Sequence, residues 1–411
     1  MKRFSISIIL LLIITILIST CLKSDDLVME PVFIQLNQKS KMLVNASNQF
    51  GFDLFQNMVA FRKSSSTNIL VSPLSVFYAL SMAANGANNS TKDDIYEVLK
   101  IESFSENDLN INNKQISNAL LALDKNVEFS IANSIWYQSG INVLPGFISK
   151  NQDLYSAQMQ AINFNDSTSF DKINQWVSDN TNHKIESIIN QLNPDAKMYL
   201  LNAIYFKGTW KYEFDPAKNI NRNFTLANGN EVSTQFMVQT ANYKYKNYNE
   251  LQLVEIPYGQ GNWVMDLILP QPVLNTDQLL ESYLGQNWDS LVNTPFNQET
   301  ITIQMPLFNF DFEASLNEIL ISMGMESAFT PGVADFSMIS EQQELFISEV
   351  KHKTYIEVDE KGTEAAAVTS VEISNGGADD RKVLVFDKPF VFVIREVSTG
   401  IILFIGKLEN P

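Results

Sequence analysis

Cysteine and histidine are almost absent from this chain of 411 residues, which contains one cysteine and two histidines. A single cysteine cannot form a disulfide within the chain, so stability must come from packing. With only His183 and His352 present, a Ser-His-Asp arrangement or a cysteine–histidine metal site has very few candidates. HExxH, phosphate-loop and dinucleotide-binding motifs are also missing. These absences argue against an enzyme, and we expect neither a cofactor nor a metal.

Clusters of basic residues are also missing, and the formal net charge is −17. A nucleic-acid-binding protein needs a basic footprint, and a site for a heparin-type polyanion needs the same. We therefore expect neither partner. The acidity is typical of a soluble, solvated surface, and we expect a monomer.

A linker rich in glycine, serine or proline is missing after about residue 45, and so are repeats and charge blocks. Length alone would suggest two or three domains, because single cores usually stop growing at about 250–300 residues. Hydrophobic residues make up 45% of the chain and charged residues 18%, which is enough for one large core. We therefore predict a single domain over residues 46–411.

The amino terminus has the pattern of a targeting segment. Lys2 and Arg3 precede an apolar run from Ile6 to Ile18 that is short for a membrane span, and Cys21 follows closely. This resembles a bacterial lipoprotein signal, in which the cysteine is lipidated. It predicts a signal peptide over 1–20, a tether over 21–45, and an extracytoplasmic lipoprotein at the cell surface or in the periplasm. The alternative is an ordinary secretory signal with an incidental cysteine, which would give a secreted protein.

Helical patterns concentrate early in the chain and strand patterns late, which favours the α+β class with large, mostly antiparallel sheets. Helices are predicted over Asn48–Phe61, Ser72–Ala84, Phe170–Val177 and Leu316–Met323. Strands are predicted over Phe129–Tyr137, Tyr199–Phe206, Leu251–Ile256, Trp263–Leu269, Leu345–Val358, Val383–Phe386, Phe390–Ile394 and Ile401–Ile405. Ser72-Pro73 predicts an N-cap followed by proline at the first position of the second helix. Gly324 predicts a C-cap for the helix that ends at Met323.

The segment Asp359–Ile373 combines the pattern of a strand with the composition of a loop. At a period of two, one face is free of charge and holds Thr363, Ala365, Ala367, Thr369, Val371 and Ile373. The other face holds Glu364, Ala366, Val368, Ser370 and Glu372. A strand with one buried face shows this alternation, yet consecutive alanines and a following Ser-Asn-Gly-Gly are typical of loops. The pattern indicates a segment that can occupy both states.

Short motifs along the chain match one protein family in order and spacing. They are Asn68–Ser75, Asn202–Trp210, Glu255–Tyr258, Leu320–Met325, Ala334–Ser337, His352, Asp359–Ala366, Asp387–Phe392, Gly406-Lys407 and Asn410-Pro411. In these motifs the chain resembles a serpin from about Gln49 to Pro411. The resemblance implies the serpin fold, with three β-sheets, about nine α-helices and an exposed reactive-centre loop over about residues 360–386.

The resemblance also implies a mechanism. A serine or cysteine endopeptidase attacks the loop as a substrate and becomes acylated. The loop then inserts into the main sheet as a new central strand and distorts the protease, which is the known serpin form of strand insertion. The alternative is a non-inhibitory serpin that is cleaved as a substrate or acts as a binding protein.

Residues at the start of this loop suit insertion into a sheet. A central strand excludes proline and inward charge, and no proline lies between Gly362 and Lys388. Gly362 permits a reversal of the backbone, and the small residues after it can pass close-packed neighbours. The predicted loop hinge comprises Glu360, Gly362, Thr363, Glu364, Ala365, Ala366 and Ala367.

A second group of residues matches serpin positions at which the main sheet opens. Ser72, Ser75, Asn202 and His352 match positions beneath the parting strands, where their polar side chains could exchange hydrogen bonds. Trp210 resembles the tryptophan near the top of the sheet. The alternatives are a buried polar cluster that only stabilises the fold, and a tryptophan that is simply part of the core.

The reactive bond follows from counting along the loop. The usual spacing from Glu360 places cleavage at Gly376-Gly377, whereas counting back from Asp387 places it at Ala378-Asp379. Both positions predict a target endopeptidase that prefers small residues, such as an elastase-like, subtilisin-like or papain-like enzyme. Arg381 would suit a trypsin-like enzyme, but it lies far along the loop.

Overall fold

The computed structural model describes residues 31–62, 67–341, 345–363 and 381–411. Its helices are α1 (Gln38–Phe61), α2 (Pro73–Ala84), α3 (Asn89–Val98), α4 (Glu106–Leu121), α5 (Pro145–Tyr155), α6 (Ser169–Asn180), α7 (Thr276–Leu279), α8 (Gly285–Asn293), α9 (Asn317–Ser322) and α10 (Glu326–Phe329). A π turn joins α7 to α8 without a break, so the described residues form nine separate α-helices, besides a short 3-10 helix over Pro216–Lys218.

The strands form two hydrogen-bonded sheets. They are β1 (Ile69–Val71), β2 (Val127–Gln138), β3 (Gln158–Ile162), β4 (Met198–Thr209), β5 (Ile220–Thr225), β6 (Glu231–Asn247), β7 (Leu251–Tyr258), β8 (Trp263–Pro270), β9 (Asn297–Pro306), β10 (Phe308–Ser315), β11 (Lys351–Val358), β12 (Gly362–Thr363), β13 (Lys382–Val385), β14 (Phe390–Glu396) and β15 (Ile402–Leu408). The six-stranded sheet has the order β10-β11-β12-β4-β2-β3. The nine-stranded sheet has the order β1-β15-β14-β8-β7-β6-β9-β13, with β5 also paired to β6.

The α+β class is confirmed, but the described strands join into two sheets rather than the expected three. The reason is β6, a strand of 17 residues. Its first residues pair with β5, its last residues pair with β7, and β9 runs beside most of its length. This one long strand therefore fuses what would otherwise be two separate sheets.

Helix α1 begins earlier than its hydrophobic pattern indicated. The side chain of Asn37 accepts a hydrogen bond of 2.8 Å from the Ser40 backbone N–H, which caps a helix that starts at Gln38 rather than at Asn48. Leu43 and Val44 are buried on this first part of the helix. Residues 38–45, which the sequence assigned to the tether, are therefore helical and packed.

The structure corrects the predicted start of one strand and adds detail at the predicted start of one helix. The strand predicted from Leu345 begins only at Lys351, because backbone groups before it bond elsewhere: the N–H of Ile347 donates to Ala328 and that of Val350 to the Asn317 side chain. Ser72 does occupy the N-cap position of α2, but its side chain makes no capping bond.

The core is built around both sheets. Residues Val32–Pro411 form one compact unit. Its main hydrophobic cluster fills the space between the sheets and helices α1 to α5, and a smaller cluster including Trp136 and Ile173 lies under α6. Within the described ranges, no helix combines the length and the apolarity needed to cross a membrane.

Candidate functional site

The candidate site is the seam between strands β4 and β11 in the six-stranded sheet. Among the described residues these two strands share no ladder of their own, and β12 lies between them. Thr363 pairs with Val358 of β11 on one side and with Gly208 of β4 on the other. At this end of the sheet, β4 and β11 therefore stand one strand position apart, and the start of the predicted loop occupies that position.

Only part of the predicted loop can be located. Glu360, Gly362 and Thr363 are described. The remaining predicted residues lie outside the described ranges: Glu364, Ala365, Ala366, Ala367, the bonds Gly376-Gly377 and Ala378-Asp379, and Cys21.

Gly362 makes the reversal between β11 and β12 possible. Its φ is +155°, and a Cβ atom at this position would lie 2.0 Å from the carbonyl oxygen of Gly208. The Asp359 carboxylate accepts hydrogen bonds from the backbone N–H groups of Lys361, at 2.8 Å, and Gly362, at 3.1 Å. Burial raises the pKa of Asp359 despite these bonds. A side chain at position 362 would not fit this close contact.

Trp210 lies directly against the turn that leads into β12. Its indole Nε1–H donates to the carbonyl of Asp359 at 2.9 Å, and its backbone N–H donates to the carbonyl of Lys361 at 2.8 Å. The Glu360 carboxylate accepts a hydrogen bond from Asn219. The structure therefore brings the predicted tryptophan and the predicted hinge together.

Tyr258 belongs to the same site, although it was not predicted from the sequence as a site residue. Its hydroxyl lies 2.6 Å from Thr363 Oγ1, and its ring stacks on Trp210 with 4.3 Å between centroids. Burial raises the pKa of the Tyr258 phenol above its usual value, so the phenol stays protonated. The motif Glu255–Tyr258 contained this residue, but nothing in its pattern showed that it reaches the hinge.

The predicted sheet-opening residues fall into two separate pairs. The backbone N–H of Ser72 donates to His352 Nε2 at 3.1 Å, which links the start of α2 to β11. Ser75 Oγ donates to the carbonyl of Asn202 at 3.5 Å, a long bond that links α2 to β4. Helix α2 thus contacts the strands on both sides of the seam. Their role in opening the sheet stays a prediction.

Two buried acceptors in this region have no donor within the described chain: Ser72 Oγ and Asn202 Oδ1. An unpaired buried polar group costs about 1–3 kcal/mol. The side-chain amide of Asn202 does donate to Asn133, whose own amide donates to the carbonyl of Tyr155 at 2.7 Å. The seam is therefore held by an incomplete set of polar contacts.

A network of buried amides continues from Asn133 into the helices, and the sequence did not predict it. The Tyr155 hydroxyl donates to Asn110 at 2.7 Å and accepts from Asn113 at 3.1 Å. Asn110 in turn donates to Asn85 at 2.7 Å. Strand β4 is thereby connected to α4 and to the residue that caps α2 through a series of hydrogen bonds, in which the asparagines beyond Asn202 are nearly fully buried. Isolated asparagines in helical segments gave no signal of this arrangement.

A segment that follows α6 crosses the seam on its outer side. Asn182 donates to the Tyr205 hydroxyl on β4 at 3.1 Å, and Lys184 forms a 3.1 Å ion pair with Glu357 on β11. Both strands are therefore tied to the same short segment. Widening the seam further would have to stretch or break one of these two contacts.

The other histidine does not form a catalytic arrangement. His183 Nδ1 lies 2.9 Å from Ser178 Oγ at an exposed position, with a left-handed φ of +61°. Within the described ranges no carboxylate contacts its second ring nitrogen. The pair lacks the third member that would orient a general base.

His352 gives the seam a pH dependence. The ring accepts from Ser72 and must therefore be neutral, and burial lowers its pKa to about 4 from an ordinary value of 6.5. Between these two values the unfolded chain binds a proton that the folded chain does not. The stability that neutral His352 contributes is complete above pH 6.5 and is lost as the pH falls toward 4.

We expect wild type to lose up to about 1.4 kcal/mol per pH unit in this window relative to His352→Gln, which cannot titrate. Buried Asp266, whose pKa is raised to about 6, acts in the opposite direction but is present in both proteins and cancels. Denaturant midpoints of both proteins at pH 7.5, 6 and 5 measure the difference. Parallel curves would contradict the assignment.

Comparison with known proteins places the chain in a family. The family model described as serpin (serine protease inhibitor) matches residues 45–411. An uncharacterized serpin-like protein of Methanosarcina acetivorans is 32% identical over 373 residues, covering 90% of this chain and 86% of the relative.

Solved structures agree with that match. The crystal structure of a thermophilic serpin, tengpin, in the native state superposes with a TM-score of 0.83 at 31% identity, covering 93% of this chain and 98% of tengpin. Human thyroxine-binding globulin, complexed with thyroxine, also gives 0.83, at 25% identity over 91% of this chain and 99% of its own. These matches and the architecture around the seam agree, and the chain belongs to the serpin family.

Proposed function

We propose that this serpin inhibits serine or cysteine endopeptidases as a suicide substrate. The protease attacks the reactive loop and forms an acyl-enzyme. The cleaved loop then inserts between β4 and β11 and carries the protease with it. Inhibition depends on insertion being faster than hydrolysis of the acyl bond, so the readiness of the seam to accept a strand decides the outcome.

The observation that carries this proposal is the position of Thr363. Its side chain is 4% exposed, and its backbone lies between β4 and β11. The residues that follow continue the alternation of small, uncharged side chains on one face without proline. The first strand position of an insertion is therefore occupied, and the sequence beyond it suits the positions that come next.

A denaturing gel of the serpin after incubation with a protease tests the proposal. We expect a band of summed mass that survives detergent, because the acyl bond is covalent. A protein that is only a substrate gives the clipped form alone. Such a result would favour a binding role, for which thyroxine-binding globulin, solved with thyroxine, provides the structural parallel.

We propose that the target prefers small residues and that Gly376-Gly377 is the bond cut. Elastase-like, subtilisin-like and papain-like enzymes are the candidates. Mass spectrometry of the peptide released when the covalent complex is denatured identifies the bond. We expect a peptide beginning at Gly377, or at Asp379 if the alternative bond is used. A peptide beginning at Lys382 would show that Arg381 is the site and would overturn the assignment.

We further propose that the protein is exported and anchored through a lipid on Cys21. The support is the pattern of basic residues, apolar run and cysteine at the amino terminus. Metabolic labelling with palmitate tests this, since Cys21→Ser should lose the label. Equal labelling of the two proteins would contradict it, and absence of label from both would favour the secreted alternative.

A further inference from the structure

The Tyr258 hydroxyl depends on the hinge for its hydrogen bond. The residue is fully buried, and Thr363 Oγ1, at 2.6 Å, is its partner in the described part of the chain. A buried phenol normally finds a partner, because an unpaired one costs free energy. If the hinge leaves its position between the strands, Tyr258 loses this partner. The hydrogen bond of the Tyr258 hydroxyl therefore depends on Thr363 lying between β4 and β11.

The ring of Tyr258 is held so that its hydroxyl points to one place. Trp210 stacks on it with an angle of 14° between the planes, and Phe206 meets it edge-on with centroids 5.2 Å apart. At Gly208 a Cβ atom would lie 2.8 Å from the Tyr258 ring, so glycine lets the ring lie against β4. The receiving hydroxyl is therefore in position without rearrangement of its neighbours.

The backbone places this ring at the end of β4. Trp210 and Tyr258 form an antiparallel bridge, and the Gly259 N–H donates to the Thr209 carbonyl at 2.8 Å. The same end of β4 pairs with Gly362 and Thr363 through the ladder of β12. One short stretch of β4 thus fixes both partners of the Tyr258–Thr363 hydrogen bond.

We infer that Tyr258 is a positioning residue for loop insertion: its hydroxyl holds the Thr363 side chain at the first strand position between β4 and β11, from which insertion continues. This rests on the proposed inhibitory function. This hydrogen bond keeps the first strand position occupied, so that insertion starts from a seated hinge and is faster relative to hydrolysis of the acyl-enzyme. Threonine suits position 363 because it has both a hydroxyl for Tyr258 and a small β-branched body for a central strand.

A double-mutant cycle with Tyr258→Phe and Thr363→Val tests the inference. The readout is the ratio of clipped to covalently complexed serpin on a denaturing gel, with a protease that forms the complex with wild type. That ratio equals the hydrolysis rate divided by the insertion rate. We expect each single change to raise it about 5-fold, as for loss of one hydrogen bond, and the double change to raise it no further.

Tyr243→Phe is the matched control, because Tyr243 is also buried and its hydroxyl donates to Gln239 rather than to a hinge residue. It should lower stability about as much as Tyr258→Phe but leave the ratio unchanged. A purely structural role for Tyr258 would make the two variants alike in both measurements and would overturn the inference. Independent, multiplying effects of the two changes would overturn it as well. Absence of any complex with wild type would instead reject the proposed inhibitory function.

Discussion

Replacing Thr363 by arginine is expected to abolish inhibition while leaving cleavage of the loop intact. The Thr363 side chain is 4% exposed and contacts the buried Tyr258. A guanidinium at this position would have to enter the sheet without a counter-charge, which costs several kcal/mol. More than about 3 kcal/mol on the insertion step corresponds to a change of more than about 100-fold in its rate. Hydrolysis of the acyl-enzyme would then be faster than insertion, and the gel would show clipped serpin only.

Glu364→Arg is the matched control for this change. It introduces the same side chain one residue later, on the face that the alternating pattern assigns to solvent. We expect this variant to form the covalent complex about as well as wild type. If Thr363→Arg trapped protease at wild-type stoichiometry, or if both variants failed alike, the assignment of the inward face would be wrong.

Replacing Arg395 by methionine is expected to lower the free energy of unfolding more than any other substitution proposed for this protein. Arg395 is 2% exposed and lies between two carboxylates: its Nε is 2.6 Å from Asp266, and its guanidinium also bonds Glu255. Its removal leaves two buried carboxylates, and among the residues that the structure describes only Glu255 retains an ion pair, with Lys244 at 3.0 Å. Breaking a buried pair in this way costs about 3–5 kcal/mol. Denaturant midpoints at pH 8 measure the loss.

Lowering the pH should partly restore the folding stability of the Arg395→Met variant. Burial raises the pKa of Asp266 to about 6 even with Arg395 present, and without the arginine that carboxyl protonates more readily still. The loss should therefore be smaller at pH 5 than at pH 8. Arg222→Met is the control, since its pair with Asp387 is partly exposed and worth at most about 1 kcal/mol. Equal losses for the two variants would show that the buried cluster does not hold the sheet together.

Strands and helices with strong local patterns were predicted well from the sequence. Strand β8, predicted over Trp263–Leu269, runs over Trp263–Pro270. Helix α2 starts at the predicted proline, and Gly324 follows α9 with the left-handed φ of +119° expected of a C-cap. These features rest on local backbone preferences, which a sequence reveals directly.

Features that are decided by single hydrogen bonds were not predictable in the same way. Residues Leu345–Val350 have strand-like composition, but their backbone bonds to helical segments instead of a neighbouring strand. Helix α1 begins at Gln38 because the Asn37 side chain caps it, and the polar residues 38–41 that open the helix show no hydrophobic periodicity. In both cases the deciding contact comes from a hydrogen bond, which leaves little trace in hydrophobic periodicity.

The residues of the candidate site differ in the same way: some were visible in the sequence pattern and others were not. The motif containing Gly362 and Thr363 identified the hinge, because alternation and small residues are visible in the sequence. Tyr258 was missed, since its contact with Thr363 joins residues far apart in the chain. The buried amides around Tyr155 were missed for the same reason.

The proposed inhibition depends on the seam between β4 and β11 accepting the cleaved loop as a strand. Comparing the thermal midpoint of intact serpin with that of serpin clipped within the loop measures this most directly. Full insertion would bury Thr369, Val371 and Ile373 and complete the sheet, so the clipped protein should melt roughly 10 °C or more above the intact one. Identical or lower midpoints after clipping would contradict insertion.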